Sequence, residues 1–338
     1  MNGVFPSPSG PPWHAGEREA QRRAGVAERM GRIAGRSIRP FMPDQHRQFF
    51  SQLPFLIVGS VDDSGLPWAS LLAGPPGFAT TPDERTLQVA TRLPKGDPLH
   101  VMLRPDAMLG ILGIELATRR RNRINGRVIA VDDFGFSVTV DQSFGNCPQY
   151  IQRRETIAAV SSTRGEVEPF TVLSTAARTL IQTADTFFVA TFSRAEGPKA
   201  SQGVDVSHRG GRPGFVDVAA DGTVTVPDFA GNRYFNTLGN LIANPVAGLL
   251  FIDFETGDLL QFSGTTDVVW EGSEIAQFAG AERLWRVRPA FGRWLRVGFP
   301  FRLTSPEVSP QVLTTGTWVD ARGNSPSDAL QRDGFRQP

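Results

Sequence analysis

Short apolar runs separated by turn residues, not long helical stripes, organise most of the chain. Residues 55–61 are apolar and β-rich. Asp62-Asp63-Ser64-Gly65 supplies a turn whose glycine can take a positive φ, and 66–73 returns, so the segment predicts a hairpin. Further strands are predicted at 87–91, 108–116, 123–131 and 135–141, with a short helix at 97–103. Upstream, residues 17–33 carry Ala20, Ala24, Val26, Ala27, Met30 and Ile33 at helical spacing, and Asp44 is placed to cap a helix reaching Leu53. Residues 1–13, rich in Pro, Gly and Ser, read as a mobile arm.

The second half repeats this order. Polar residues 161–168 read as a link and 172–183 as an amphipathic helix, after which Phe187 to Thr191, a turn ending in Gly197, and Ala200-Ser201 follow the order of Phe55 to Val58, Gly65 and Ala69-Ser70. On this alignment Ser201 matches Ser70. Pro245, Ala247, Leu249 and Ile252 match Pro105, Ala107, Leu109 and Leu112, and Gly126 and Gly264 follow in the next strand of each half. Two six-stranded antiparallel units with covering helices account for the 338 residues, and closure into barrels would remove exposed strand edges.

Composition narrows the function classes. A formal charge of +1 gives no overall field for nucleic acid or an acidic membrane, although Arg119, Arg120, Arg121 and Arg123 form a local cluster that suits either a solvated strand end or a bound anion. No apolar run approaches the ~20 residues needed to span a bilayer, and no export signal is visible. The single Cys147 excludes a disulfide framework and fits a cytoplasmic location. It precedes Pro148 at the start of a helix predicted over 148–154, where a thiol is either reactive or a small packing residue.

Polar chemistry concentrates in the second half. Lys199, Ser201, Asp205, Ser207, His208 and Arg209 run along one strand, followed by Gly210, Gly211 and Gly214. Then Pro227-Asp228-Phe229-Ala230-Gly231-Asn232-Arg233-Tyr234-Phe235-Asn236 leads into a helix over 237–243. A Gly-Asn-Arg turn at a helix entrance offers the amides and guanidinium that a phosphate needs, and Asn236 is positioned to cap the helix. Gln261 sits between apolar neighbours and must find a partner. His208 is the candidate catalytic group, a general acid poised near neutrality or simply a hydrogen-bonding residue.

Four stretches, 207–216, 227–240, 244–251 and 144–150, resemble the pyridoxamine 5′-phosphate oxidase-like flavin-binding split barrels in a tandem version, over roughly residues 37–270. The resemblance implies a mainly β fold with flanking helices (α+β), built as tandem FMN-binding split β-barrels. Its parts would be an N-terminal arm and helix (1–36), a first barrel (37–160), a second barrel with the main FMN site (170–303) and a C-terminal tail (304–338). It implies Ser201, Asn232 and Arg233 at the FMN phosphate with Arg209 nearby, and Gln202, Asp228 and Gln261 at the ribityl chain or ring edge. Asp205, Ser207, His208 and Asn236 complete the expected cofactor-binding set. The first barrel lacks the Ser-His-Arg-Gly-Gly run, so one main flavin site is expected, with Arg119 or Arg121 contributed across the interface.

The tail reads Arg302-Leu303-Thr304-Ser305-Pro306, a spacing unlike the family's substrate signature, which argues against vitamin B6 oxidation. The preferred function is an FMN-dependent oxidoreductase passing hydride or electrons between NAD(P)H and a small organic acceptor. The alternatives are a flavin carrier or sensor without turnover, and a haem-binding or haem-degrading split barrel. The run 285–301, rich in Trp, Phe and Arg, suggests a homodimer.

Overall fold

A computed structural model describes residues 12–93, 95–159, 166–194 and 202–323. Three helices come first: α1 (Ala15–Arg23), α2 (Ala27–Ser37) and α3 (Asp44–Gln52). The first sheet follows, with β1 (Phe55–Val61), β2 (Pro67–Ala73), β3 (Ala79–Asp83), β4 (Thr86–Val89), α4 (Leu99–Met102), β5 (Met108–Glu115), β6 (Arg120–Asp132) and β7 (Gly135–Asn146). Connecting strands β8 (Thr156–Ala159) and β9 (Val167–Phe170) and helix α5 (Thr175–Thr183) lead to the second unit. It contains β10 (Thr186–Ser193), β11 (Gly203–Gly210), β12 (Asp217–Val218), β13 (Val224–Phe229), α6 (Asn236–Ala243), β14 (Val246–Ile252), β15 (Leu259–Val269), α7 (Ser273–Gln277) and β16 (Ala281–Leu295). β17 (Phe301–Leu303) and α8 (Trp318–Gly323) close the described chain.

The repeat is real and larger than six strands. One sheet runs β2-β1-β5-β6-β7-β4-β3 and the other β11-β10-β14-β15-β16-β13-β12, the same seven-strand order twice, with β9 added on β16. Neither path closes on itself among the described residues, so these are split barrels, each wrapped around its own apolar core. A third core lies between them, where Ile57, Leu71 and Leu112 of the first unit meet Phe188, Val206 and Leu250 of the second.

Backbone pairing fixes the true correspondence of the halves. Gly59 faces Gly110 as Ala190 faces Gly248, and Val58 faces Ser70 as Val189 faces Ser207. Ser70 therefore corresponds to Ser207, not Ser201. Five residues join the paired Val61 and Pro67 but eleven join the paired Phe192 and Val204, so the second hairpin carries six more. That insertion shifts the expected alignment. Lys199, the turn through Gly197, Ala200 and Ser201 lie outside the described residues.

The glycines of this framework mark where backbone meets backbone. A Cβ on Gly110 would strike the Val204 carbonyl, and one on its counterpart Gly248 would strike the Pro67 carbonyl. The two contacts are related by the repeat and lock each barrel's β2-type strand against the other barrel's β5-type strand.

Several local expectations change. The helix expected over 17–33 is two helices, broken where Gly25 adopts φ 68°. Trp13, expected in the arm, is buried against Tyr234, with ring centroids 5.1 Å apart; residues 1–11 lie outside the described residues. Asp44 does not cap α3; it is the first helical residue and pairs with Arg47 at 3.2 Å. Residues 148–154 form no helix, because Tyr150 takes φ 67° and Arg153 bridges to Glu307. Residues 167 and 168, expected as the end of the link, open β9. The aromatic run 285–301 is used within the chain: Trp285 lies in the second barrel's core, and Leu295 and Phe299 join the core between barrels. No helix among the described residues is long and apolar enough to cross a membrane.

Gly248→Ala should lose about 1–3 kcal/mol of stability, the usual cost of overpacking, because its obstacle is backbone and cannot rotate away. Gly31→Ala, in open space on α2, should be neutral or slightly stabilising. Urea unfolding monitored by tryptophan fluorescence measures both, and equal midpoints would refute the interlock.

Candidate functional site

A cleft opens where β6 and the end of β7 face β11, the β13–α6 loop and β16. Its first-barrel wall carries Arg121, Arg123, Asn146, Cys147, Gln149 and Tyr150. Its second-barrel wall carries Ser207, His208, Arg209, Asp228, Asn232, Arg233, Asn236 and Glu282. Period-two alternation along β6 brings Arg121, Arg123 and Asn125 to one face.

Arg123 is the hub. It is 4% exposed and donates to Asp205 at 3.1 Å, Asn236 at 3.1 Å and Ser207 at 2.6 Å, crossing from the first barrel to β11 and α6. Asp205 also accepts from Asn125 and Asn240, both at 2.8 Å. Behind this network lies α1. Glu17 accepts from Asn236 at 2.5 Å and His14 lies 2.8 Å from Asn240, while Gly16 and Gly239 let the two helices touch. Burial, and secondarily Asp205, pushes the Glu17 carboxyl well above the usual carboxylate range.

Arg121 binds the Cys147 carbonyl at 2.8 Å and approaches His208 Nδ1 at 3.3 Å, and no carboxylate among the described residues pairs with it. Burial holds its guanidinium down at about 10, with repulsion from Arg123 and Arg209 adding to the effect. On the opposite wall the charges alternate: Arg209 pairs with Asp228 at 2.8 Å, Asp228 with Arg283 at 3.6 Å, and Glu282 with both Arg283 and Arg233. The loop holding Arg233 is strained, since Arg233 and Phe235 both sit at positive φ, 66° and 62°. Asn232 ties this loop to Asn146 of the first barrel at 3.2 Å.

The expected residues thus divide. Ser207, His208, Arg209, Asp228, Asn232, Arg233 and Asn236 line the cleft, and Asp205 braces it from behind. Asn236 is not the helix cap; Phe235 holds that position and Asn236 bonds Arg123 and Glu17. Gln202 lies beside the start of β11 and outside the cleft lining, and Ser201 lies outside the described residues. Gln261 is fully buried elsewhere, donating to the Ala69 carbonyl at 2.8 Å and to Asp97 at 2.9 Å. Since Gly110 faces Asn125 as Gly248 faces Ser263, Gln261 is the counterpart of Arg123 at the mirror position. Arg119 turns away to Ile151 and Glu307.

The mirror position is not a second cleft of the same kind. By the same pairings, His208, Arg209 and Arg121 correspond to Leu71, Leu72 and Leu259, all buried in apolar cores. The Asp97 carboxylate fills the space beside Ser70 and Gln261, bonding both.

Residues 173–294 match the family model described as pyridoxamine 5′-phosphate oxidase. The match thus covers the second barrel, and the first barrel repeats that barrel's strand order. Among solved structures, HupZ of Group A Streptococcus overlays 35% of this chain and 90% of its own at 14% identity and TM-score 0.28. An FMN-binding protein of Syntrophomonas wolfei overlays 35% and 82% at 14% identity and TM-score 0.26. HutZ, the haem storage protein of Vibrio cholerae, overlays 41% and 99% at 17% identity and TM-score 0.24. No curated protein matches the chain.

His208 is not a poised acid. Burial first, then Arg121, Arg209 and Arg154, hold its imidazole well below the ordinary value, so it is neutral at pH 7. The unfolded chain takes up that proton near pH 6.5 while the folded one does not, so stability is full above about pH 6.5 and falls as the pH drops from there toward the folded value. His208→Asn should flatten this acid-side loss in thermal unfolding between pH 7 and 5. An unchanged slope would exclude His208 as its source.

Proposed function

We propose that the cleft holds FMN by its phosphate, and that the protein is an FMN-dependent oxidoreductase passing hydride or electrons between a reduced nicotinamide and a small organic acceptor. The observation that carries this reading is electrostatic. Arg121, Arg123, Arg209, Arg233 and the adjoining Arg283 meet three carboxylates, Asp205, Asp228 and Glu282, leaving two positive charges in excess. Glu17 stands outside this balance because burial favours its protonated form. A phosphate monoester brings about −1.5 to −2 charges near neutrality. The Nε groups of Arg123 and Arg209 and the Nε2 of His208 are buried with no partner among the described residues, which an anion rich in acceptors would relieve.

The cleft volume is about 110 Å³, below the ~300–1,000 Å³ usual where a whole ligand is enclosed. The enclosed part suits the anionic end of a ligand, with the remainder toward the open mouth. FMN, when bound, supplies the redox chemistry. The chain's part is to bind and orient: Arg121 and Arg123 present charge from one barrel, Asn232 and Arg233 from the other. Tyr150 and Phe229, whose rings lie 5.2 Å apart, shield one side from water. His208, neutral, serves as a hydrogen-bonding group. Cytoplasmic residence belongs to the same proposal, since reduced nicotinamide is its electron source.

A carrier role would use the same binding residues. The haem alternative stands behind both: His14 and His46 are buried and bonded to Asn240 and Ser143, and His208 is buried among guanidiniums.

Protein stripped of ligand and titrated with FMN should develop a bound-flavin spectrum, and riboflavin, which lacks the phosphate, should bind at least about tenfold more weakly. Arg121→Gln should remove most of that difference while leaving riboflavin binding unchanged. Equal affinities for the two flavins, or a haem band in the purified protein, would overturn the reading. Reduction by NADPH followed by reoxidation with organic acceptors separates enzyme from carrier.

A further inference from the structure

We infer that Glu282 is an internal counter-anion that competes with the ligand's phosphate for Arg233 and so sets how reversibly the cleft holds its ligand. This rests on the reading of the cleft as a phosphate site. Charges follow one another along the second-barrel wall in the order Arg209, Asp228, Arg283, Glu282, Arg233, so that each carboxylate stands between two guanidiniums.

The centre of this chain and its Arg233 end differ in exposure. Asp228 and Arg283 have side chains 7% and 6% exposed, so separating them would strand a buried charge. Arg233 and Glu282 are 23% and 30% exposed and line the cleft itself. Their pair is bidentate, Arg233 Nη2 meeting Glu282 Oε1 at 2.5 Å. It can open at low cost: once Arg233 turns to a phosphate, Glu282 retains Arg283, and no group loses its last partner, whereas freeing Arg209 would leave the buried Asp228 with Arg283 alone at 3.6 Å. A partly exposed pair gains modestly in contact with water, whereas a dianion offers Arg233 twice the charge.

The alternative role for Glu282 is to hold Arg233 in place for the ligand. The two roles predict opposite signs, because removing a competitor tightens binding and removing a support weakens it.

Ligand-free full-length protein and its Glu282→Gln and Glu282→Asp variants are titrated with FMN, with riboflavin as the phosphate-free control and inorganic phosphate as competitor. Glu282→Gln should bind FMN at least about tenfold more tightly, with riboflavin affinity unchanged and the inhibition constant of inorganic phosphate lowered in parallel with the FMN dissociation constant. Glu282→Asp, too short to keep both bonds, should shift the same way by less, and it decides the matter if the glutamine variant does not fold. FMN affinity equal to or below the parent's overturns the inference while leaving the phosphate site intact. Folded parent and variants that all fail to bind FMN would overturn both.

Discussion

A single guanidinium joins the two halves of this molecule at the point where its chemistry is concentrated. Arg123 leaves β6 of the first barrel and ends among Asp205, Ser207 and Asn236 of the second, fully covered. A buried charge of this kind demands nearly complete partnering, and losing one partner costs far more than the pair contributes. The surrounding arrangement answers that demand: Asn125 and Asn240 hold Asp205, Thr237 holds Ser207, and α1 supplies Glu17 to hold Asn236. The geometry of the cleft wall is thus the consequence of satisfying one side chain.

Repetition built the scaffold and its loss made the site. The two sheets share one strand order and one pair of backbone contacts, through Gly110 and Gly248. Yet the residues at equivalent places have opposite character. Arg121, His208 and Arg209 border a cleft, whereas Leu259, Leu71 and Leu72 are packed into cores. Where Arg123 works on one side, Gln261 works on the other, and there a carboxylate from α4's entrance fills the gap.

Much of this was legible in the sequence, and the gaps have physical causes. Turn glycines between short apolar runs marked the strands of both halves, and the Gly-Asn-Arg loop marked one wall of the cleft. The Ser70 to Ser207 correspondence was hidden because a six-residue hairpin insertion leaves the apolar pattern on either side unchanged. Gln261 was recognisable as an inward polar residue in need of a partner, but sequence does not say which of two equivalent faces supplies it. Arg123 was masked by a run of arginines; alternation with Arg121 and Asn125 was the signal available. The role of α1 was the least visible, although His14 and Glu17 already have the spacing of a reciprocal helix cap.

Both walls of the cleft belong to one covalent chain, held together by Gly110 against Val204 and Gly248 against Pro67. Where two separate chains must meet to make a site, dilution dissolves it and every substitution alters two places at once. Here both walls come from one chain, so their meeting is intramolecular. Each wall is also free to differ from its twin: one face carries Arg121 and Arg209 where the other carries Leu259 and Leu72.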